Sequence, residues 1–359
     1  MSGQYHFRNL VFEGGGVKGI AYVGALEMLR NRGILDQITR AGGTSAGAIT
    51  ATLVALRYSP EEVREVLYEM DFRSFLDSSV CDIEDIWRVI RKYGWYRGDT
   101  FSKWMSEIVA RKTGNPNTTF GQLAAAGSFR ELHLITTNLS THDAEILSHE
   151  KTSEMPIAEG VRMSMSIPLF FAAVKKPLMP PVVESGTESR LVKYDIFVDG
   201  GVLDNYPVKL FDHKKYVMRF SKPTEYYQNL AAKKRLPGLT VENNPYVFNM
   251  ETLGFRLDTK EEIAVFHGAP LTHRRINGIK DYLAQLVGTI LDSQDNQHLH
   301  SDDWQRTIYI DTLGISTTQF DLGPDDKDNL VESGRQGVKN YFDWFDNPQM
   351  EVYNRPDES

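Results

Sequence analysis

The stretch GGTSAGA at residues 42–48 decides the fold that we predict, because it sets a serine between small residues. Ser45 lies two positions after Gly43 and two positions before Gly47, which gives the pattern Gly-x-Ser-x-Gly. A serine with such flanks can occupy a very tight turn from a strand into a helix, where larger flanking side chains would collide with the backbone. Alone, the pattern is also compatible with an ordinary glycine-rich loop.

The segments around this turn alternate between strand and helix patterns. A short apolar strand at 7–12 runs into the glycine-rich segment 13–19, and a helix pattern follows. A second strand around 37–41 leads to Ser45, with a helix from about 46 to 56. This alternation is typical of a parallel α/β sheet, whose ligands gather at the carboxyl ends of the strands. Both glycine turns are therefore candidate positions for a functional site.

Further elements are predicted along the rest of the chain. Ser59, Pro60 and Glu62 have the spacing of an N-cap, a first helical position and a capping box. Aromatic residues are concentrated at 72–104, and we interpret them as core, with a mobile cap over an apolar groove as the alternative. We also predict strands at 132–137, 195–198, 216–220 and 307–310, helices at 158–166, at 276–290 and from 324 onward, and a loop at 177–193.

Composition restricts the class of protein. The chain has 359 residues, 41% of them hydrophobic and 25% charged, which is ordinary for a soluble globular protein. The net charge of -8 argues against general nucleic-acid binding, and the single cysteine excludes an internal disulfide and a cysteine metal cluster. Neither a secretory signal nor a run of about 18 apolar residues is visible, so we expect a cytoplasmic protein.

A second glycine motif lies upstream of the serine turn. Gly14, Gly16 and Gly19 fit Gly-x-Gly-x-x-Gly, which suggests dinucleotide binding. The match is poor in context, because the acid expected about 20 residues later would be Asp36, which follows the predicted end of the helix. Glycine N–H groups at a helix N-terminus can instead hold an oxyanion. A tight turn without a ligand is the remaining interpretation.

A third motif, Asp199 followed by Gly200 and Gly201, closes a predicted strand. The two glycines leave the carboxylate uncrowded and let the chain turn, although Asp-Gly is also an ordinary turn signal.

Together, the three motifs resemble those of the patatin-like phospholipases, which have a glycine-rich oxyanion loop, a Gly-x-Ser-x-Gly nucleophile elbow and a late Asp-Gly-Gly or Asp-Gly-Ala. Two further blocks match the family: Ser-Met-Ser-Ile-Pro at 164–168 and Asn-Tyr-Pro at 205–207. The resemblance covers roughly residues 8–220. It implies a three-layer α/β/α fold with a mostly parallel central sheet. We place the catalytic core at 1–222. The apolar faces of the helices predicted beyond it favour a mostly helical C-terminal extension at 223–359, packed on that core in one compact domain.

The resemblance further implies a serine lipid acyl hydrolase of phospholipase A or lysophospholipase type. Ser45 would attack the ester carbonyl, Asp199 would accept its proton, and an acyl-enzyme would form on Ser45. Because an aspartate with a pKa near 3.9 is a poor base at neutral pH, we expect a raised pKa. The oxyanion would be held by the backbone of the loop, with Lys18 favouring anions; the residues of this predicted site are Gly14, Gly15, Gly16, Lys18 and Gly19.

Other interpretations remain open. None of the nine histidines occupies a strand-end motif of the kind that supplies a Ser-His-Asp triad, so we favour a dyad. No His-x-x-x-His or paired-acid helix pattern indicates a metal, and we expect no cofactor. The implied partner is a phospholipid or lysophospholipid at a membrane surface, with a protein activator and secretion as an effector left open. The rival hypothesis is a lipid-binding or partner-regulated module on the same fold with latent hydrolysis.

Overall fold

A computed structural model of the chain describes these residues: 5–70, 93–177, 194–232, 243–258, 286, 289, 302–317, 319 and 321–356. The strands are β1 (Asn9–Phe12), β2 (Arg40–Thr44), β3 (Gly94–Tyr96), β4 (Glu131–Asn138), β5 (Asp143–Ser148), β6 (Leu169–Phe171), β7 (Val174–Pro177), β8 (Tyr194–Asp199), β9 (Ser221–Lys222), β10 (Phe248–Asn249), β11 (Thr252–Asp258) and β12 (Thr307–Asp311). The helices are α1 (Tyr22–Asn31), α2 (Ala46–Ala55), α3 (Pro60–Glu69), α4 (Asp99–Thr113), α5 (Phe120–Ala125), α6 (Ile157–Ser164), α7 (Glu225–Ala232) and α8 (Pro324–Phe345). None of these helices has the length and hydropathy of a bilayer-spanning segment.

A mostly parallel sheet forms the centre of the α/β fold, as predicted. The strands β12, β11, β1, β2 and β4 follow one another in this order, and each neighbouring pair is parallel. The strands β5 and β8 pair antiparallel with β4, and β7 pairs antiparallel with β8. Every residue of α2 is buried, so the helix that begins directly after Ser45 is part of the core.

One edge of β4 is shared by β2 and β8. The strand β5 pairs with β4 from His133 to Asn138 and so occupies the opposite edge. The strand β2 ends where Thr44 faces Ile135, and β8 ends, from the other direction, where Asp199 faces Thr136. Because neighbouring residues of β4 face them, the carboxyl ends of β2 and β8 meet head to head. Asp199 therefore ends a strand that runs against the parallel set.

The C-terminal part of the chain contributes to the same sheet. The predicted strand at 307–310 is confirmed as β12, whereas β11 was not predicted because it contains Gly254, Arg256 and Asp258 and follows a polar stretch. Both strands lie beyond the predicted boundary at residue 222 and complete the sheet on the β1 side. The described residues of this part therefore combine strands of the central sheet with the helices α7 and α8.

The final helix, predicted to begin at Pro324, is confirmed as α8 and packs on the core. Its Arg335 forms an ion pair with Glu27 of α1 at 2.7 Å, and Phe342 and Phe345 pack against Phe7.

The predicted strand at 216–220 is wrong. Residues 214–216 form a 3-10 turn, and the backbone N–H groups of Met218, Arg219 and Phe220 donate to the carboxylate of Glu251 at 2.6–3.1 Å. The buried carboxylate thus accepts the hydrogen bonds of these three N–H groups, which in a strand would go to the carbonyl oxygens of a neighbouring strand.

Among the other predicted elements, some are confirmed and one lies at a different position in the chain. The capping box at Ser59 and Glu62 starts α3 as predicted, whereas the second strand spans Arg40–Thr44 instead of 37–41, since a 3-10 turn occupies residues 35–37. In the aromatic region, Phe101 is 2% exposed in α4, which agrees with the core interpretation; residues 71–92 of that region lie outside the described residues. So do the loop at 178–193 and, apart from 286 and 289, the predicted helix at 276–290.

Candidate active site

The serine turn between β2 and α2 has the strained geometry of a nucleophile elbow. Ser45 has φ 54° and ψ −124°, which is rare for a residue with a side chain and is held only by its surroundings. A Cβ at Gly43 would lie 2.4 Å from Gly47 O, and a Cβ at Gly47 would lie 2.3 Å from Phe12 O. These are the collisions that the small flanking residues are predicted to avoid.

A single segment at the C-terminal end of α6, residues 164–166, contacts both Ser45 and Asp199. The Ser45 N–H donates to Ser164 Oγ at 3.0 Å, and the Asp199 N–H donates to Ser166 O at 2.8 Å. Between them, Met165 places its Sδ 3.6 Å from Ser45 Oγ. The Ser-Met-Ser block thus lines the site and fixes the backbone of both residues.

The carboxyl group of Asp199 is buried, and only one of its two oxygens accepts a hydrogen bond. Its Oδ1 accepts the Gly201 N–H at 2.8 Å, whereas Oδ2 has no hydrogen-bond partner among the described residues. Burial raises the pKa of Asp199 from 3.8 to about 7, and this rise prevails over the opposing effects of the Ser45 hydroxyl and the Gly201 N–H. The raised pKa is the shift that the sequence predicts for a base at neutral pH.

Ser45 and Asp199 are neighbours across the head-to-head junction of β2 and β8. The Ser45 hydroxyl points to Met165 Sδ, yet it is close enough to lower the pKa of Asp199. Gly200 packs tightly behind the pair, since a Cβ there would lie 2.4 Å from Ile135 O. Asp199 Oδ2, which has no hydrogen-bond partner among the described residues, lies on this side of the junction with its acceptor capacity unused.

The glycine loop after β1 packs against the serine. A Cβ at Gly14 would lie 3.0 Å from the Cβ of Ser45. The Gly14 N–H donates to Asn205 O at 3.1 Å, so Gly14 is not available as the oxyanion donor that the sequence suggests. The N–H groups of Gly15 and Gly16 make no hydrogen bond within the described part of the chain, and they precede the 3-10 helix Gly16–Ala21. They are the two donors that the loop offers.

Residues distant in sequence hold this loop in place. Glu13, next to Gly14, accepts the Leu257 N–H on its Oε2 at 2.5 Å, and its carbonyl accepts the Tyr22 hydroxyl at 2.8 Å. The Val17 N–H donates to Thr317 O at 3.4 Å. Sequence reasoning missed Leu257 and Thr317, which contribute backbone atoms and so carry no side-chain signal; Asn205 was signalled by the Asn-x-Pro block.

The remaining predicted site residues lie beside the loop. Lys18 is half-buried, and its Cε lies 3.4 Å from the position of a Cβ on Gly15. Gly19 faces Ala46 at the start of α2, where an added Cβ would make ordinary contact at 3.4 Å.

No histidine in the described ranges contacts either Ser45 or Asp199. His6 is bonded to Met250 O, and His133, His142, His149 and His213 have other neighbours or face solvent. His267, His273, His298 and His300 lie outside the described residues.

Comparisons with known proteins agree with this geometry. A family model described as patatin-like phospholipase matches residues 10–212, which is more than half of the chain. The chain is 29% identical over 337 residues to an uncharacterized protein of Acanthamoeba polyphaga mimivirus, covering 92% of each. It is 22% identical over 206 residues to "Probable lipid hydrolase 463L" of Invertebrate iridescent virus 6, covering 57% of this chain and 63% of that one.

Among solved structures, VipD from Legionella pneumophila superposes with a TM-score of 0.55 at 17% identity, over 94% of this chain and 67% of that chain, which shows a common fold. The glycine loop, the serine elbow and the family match lead to one conclusion: the chain belongs to the patatin-like phospholipase family.

Proposed function

We propose that the protein is a serine lipid acyl hydrolase that cleaves fatty-acyl esters of phospholipids or lysophospholipids through a Ser45–Asp199 dyad. The observation that carries this proposal is the buried Asp199 carboxyl, whose pKa is about 7 and whose Oδ2 is unused beside the strained serine. A base whose pKa lies near the working pH combines the correct protonation state with a strong drive for proton transfer.

In the first half of the reaction, Ser45 Oγ attacks the ester carbonyl carbon while its proton moves to Asp199 Oδ2. The carbonyl oxygen becomes an oxyanion, which accepts hydrogen bonds from the N–H groups of Gly15 and Gly16. Collapse of this intermediate breaks the bond to the alcohol, which takes the proton from Asp199 and leaves the acyl group on Ser45. Loss of one oxyanion donor in such a site costs about 2.7–4 kcal/mol of barrier.

In the second half, water replaces the alcohol. Asp199, again ionised, takes a proton from the water as its oxygen attacks the acyl carbon, and the same two N–H groups stabilise the second oxyanion. When this intermediate collapses, the proton of Asp199 returns to Ser45 Oγ, and the fatty acid is released. The carboxyl group thus alternates between base and acid, and no histidine is needed.

The family and the name of the iridescent-virus relative support a lipid ester as the substrate. Lys18, half-buried beside the glycine loop and without an ion pair among the described residues, is placed to attract an anionic headgroup. The proposal includes a peripheral action at membranes from the cytoplasm. A protein activator, or secretion as an effector, would be compatible with the same site.

Release of fatty acid from phosphatidylcholine vesicles tests the proposal. We expect turnover by the wild type and its loss in Ser45→Ala and Asp199→Ala. Matched controls are Ser102→Ala, on α4, and Asp143→Asn, on an exposed end of β5, which should retain wild-type rates. Undiminished turnover in either site variant would contradict the dyad.

Labelling with a fluorophosphonate separates an enzyme from a lipid-binding module on the same fold. The reagent should modify the wild type once, at Ser45, and leave Ser45→Ala unmodified. A wild type that binds vesicles but resists the reagent, even in the presence of a cell extract as a source of activators, would favour the binding module.

A further inference from the structure

A cluster of two histidines and a glutamate lies at the beginning of β4, away from the serine turn. Glu131 and His133 are two residues apart on β4, so their side chains share one face of the sheet. His149 follows β5 directly after Ser148, which faces His133 across the ladder. Ile135, beside the serine turn, lies four positions further along β4 than Glu131, or about 13 Å along the strand.

Two nitrogen atoms of this cluster lack hydrogen-bond partners among the described residues. His133 is 1% exposed, and its Nε2 has no such partner; neither has the buried Nδ1 of His149. The ligand atoms of Glu131, His133 and His149 all lie within 4.8 Å of one another, and His133 Nε2 is 3.8 Å from Glu131 Oε2. Unpaired buried polar atoms cost free energy, so two of them converging beside a carboxylate call for an additional group.

We propose that Glu131, His133 and His149 form a binding site for a divalent transition-metal ion of the Zn²⁺ type. Two imidazoles and one carboxylate are a ligand set that Zn²⁺ takes, at metal–ligand distances of about 2.0–2.2 Å. Ligand atoms of a tetrahedral site are about 3.3 Å apart, so small side-chain rotations of the three residues would complete it. Water would take the fourth position, since Glu131 is half-exposed and leaves the site open to solvent.

The surrounding charges permit this binding. Arg40 Nε is 3.0 Å from Glu131 Oε2, but the same guanidinium also donates to Asn9 Oδ1 and Tyr216 O. Arg40 therefore keeps hydrogen-bond acceptors when the carboxylate turns to the metal.

The position of the site indicates a structural role. The metal would join the beginning of β4 to the residue after β5, and so hold the open end of that hairpin on the sheet. Because it binds the folded chain and not the unfolded one, it should raise the melting temperature. Sequence reasoning missed the site, because Glu-x-His on a strand and a histidine beyond the hairpin match no common metal spacing.

Calorimetric titration of ZnCl₂ into the full chain, freed of metals with EDTA and of any affinity tag, tests the proposal. We expect one equivalent of Zn²⁺ to bind, and a matched titration with Co²⁺ to give the visible absorption of a tetrahedral centre. His149→Asn should weaken binding at least about tenfold. The control His142→Asn, an exposed histidine on the same hairpin, should bind as the wild type does.

Two results would overturn the proposal: no Zn²⁺ binding by the wild type, or equal affinity of the wild type and His149→Asn, which would place the ion elsewhere. If His149→Asn fails to fold, the half-exposed Glu131→Gln replaces it, with the same expectation. Hydrolytic activity is not required for either readout, so this test is independent of the proposed function.

Discussion

Replacing Asp199, the proposed base, by its neutral isostere should make the protein more stable at alkaline pH while it abolishes turnover. The amide introduced by Asp199→Asn keeps an oxygen for the Gly201 N–H and has the same shape as the acid. What the substitution removes is the cost of ionising a carboxyl group inside the protein. The unfolded chain does not bear this cost, because there the carboxyl is exposed to water.

The sign and size of the effect follow from the pKa of Asp199. It is raised from 3.8 to about 7 on folding, so the unfolded chain loses its proton first, and wild-type stability falls as the pH rises between these values. Since one pKa unit corresponds to about 1.4 kcal/mol, the full penalty is about 4 kcal/mol, reached near pH 8. At pH 5 the penalty is only about 1.7 kcal/mol, so the stability gap between variant and wild type should widen by roughly 2.5 kcal/mol from pH 5 to pH 8.

Urea unfolding, followed by tryptophan fluorescence at both pH values, measures this gap as the difference in the free energy of unfolding. The exposed Asp143→Asn is the control, and its gap from the wild type should stay the same at both pH values. A gap for Asp199→Asn that is constant, or that narrows as the pH rises, would refute the assignment of a buried carboxyl titrating near neutrality.

Three further expectations concern catalysis and the turn. The kcat/KM of the wild type should rise through about pH 7 as Asp199 ionises, and a rate that is flat from pH 5 to pH 8 would exclude it as the base. Lys18→Gln should weaken use of an anionic phospholipid about fivefold, the equivalent of about 1 kcal/mol, and leave a neutral ester unaffected; equal losses on both substrates would indicate a structural role. Gly47→Ala should destabilise the protein by about 3 kcal/mol or more because its Cβ would meet Phe12 O at 2.3 Å, whereas Gly114→Ala, with φ 77° and open space, should cost about 1 kcal/mol by thermal unfolding. Equal costs for the two glycines would contradict the steric argument.

Local patterns were sufficient for much of the fold. The capping box of α3, the start of α8 at Pro324 and the strand that leads to Asp199 depend on nearby residues, so sequence alone predicts them. The strand predicted at 216–220 fails because its N–H groups are satisfied by Glu251, about 30 residues away. Likewise, β11 is stabilised by its parallel neighbours and has no clear pattern of its own.

The candidate site likewise has features that follow from local motifs and features that depend on long-range pairing. Ser45, Asp199 and the glycine loop could be located from motifs, because each motif encodes its own turn. That Gly14 is already bonded to Asn205 O, and that β8 approaches from the opposite direction, are consequences of long-range pairing. A motif specifies the shape of a turn, and pairing decides which of its groups remain free.

If Ser45 and Asp199 act as the proposed dyad, the shared edge of β4 also makes catalytic activity a test of correct assembly. If β8 slipped by one residue along β4, the Asp199 side chain would turn to the opposite face of the sheet. A slip by two residues would keep the face but displace the side chain by about 7 Å, away from the serine. Circular dichroism would barely distinguish such misassembled molecules from native ones. Specific activity, measured against total protein after refolding, would therefore report the fraction of molecules in which β2 and β8 pair with β4 in the native register.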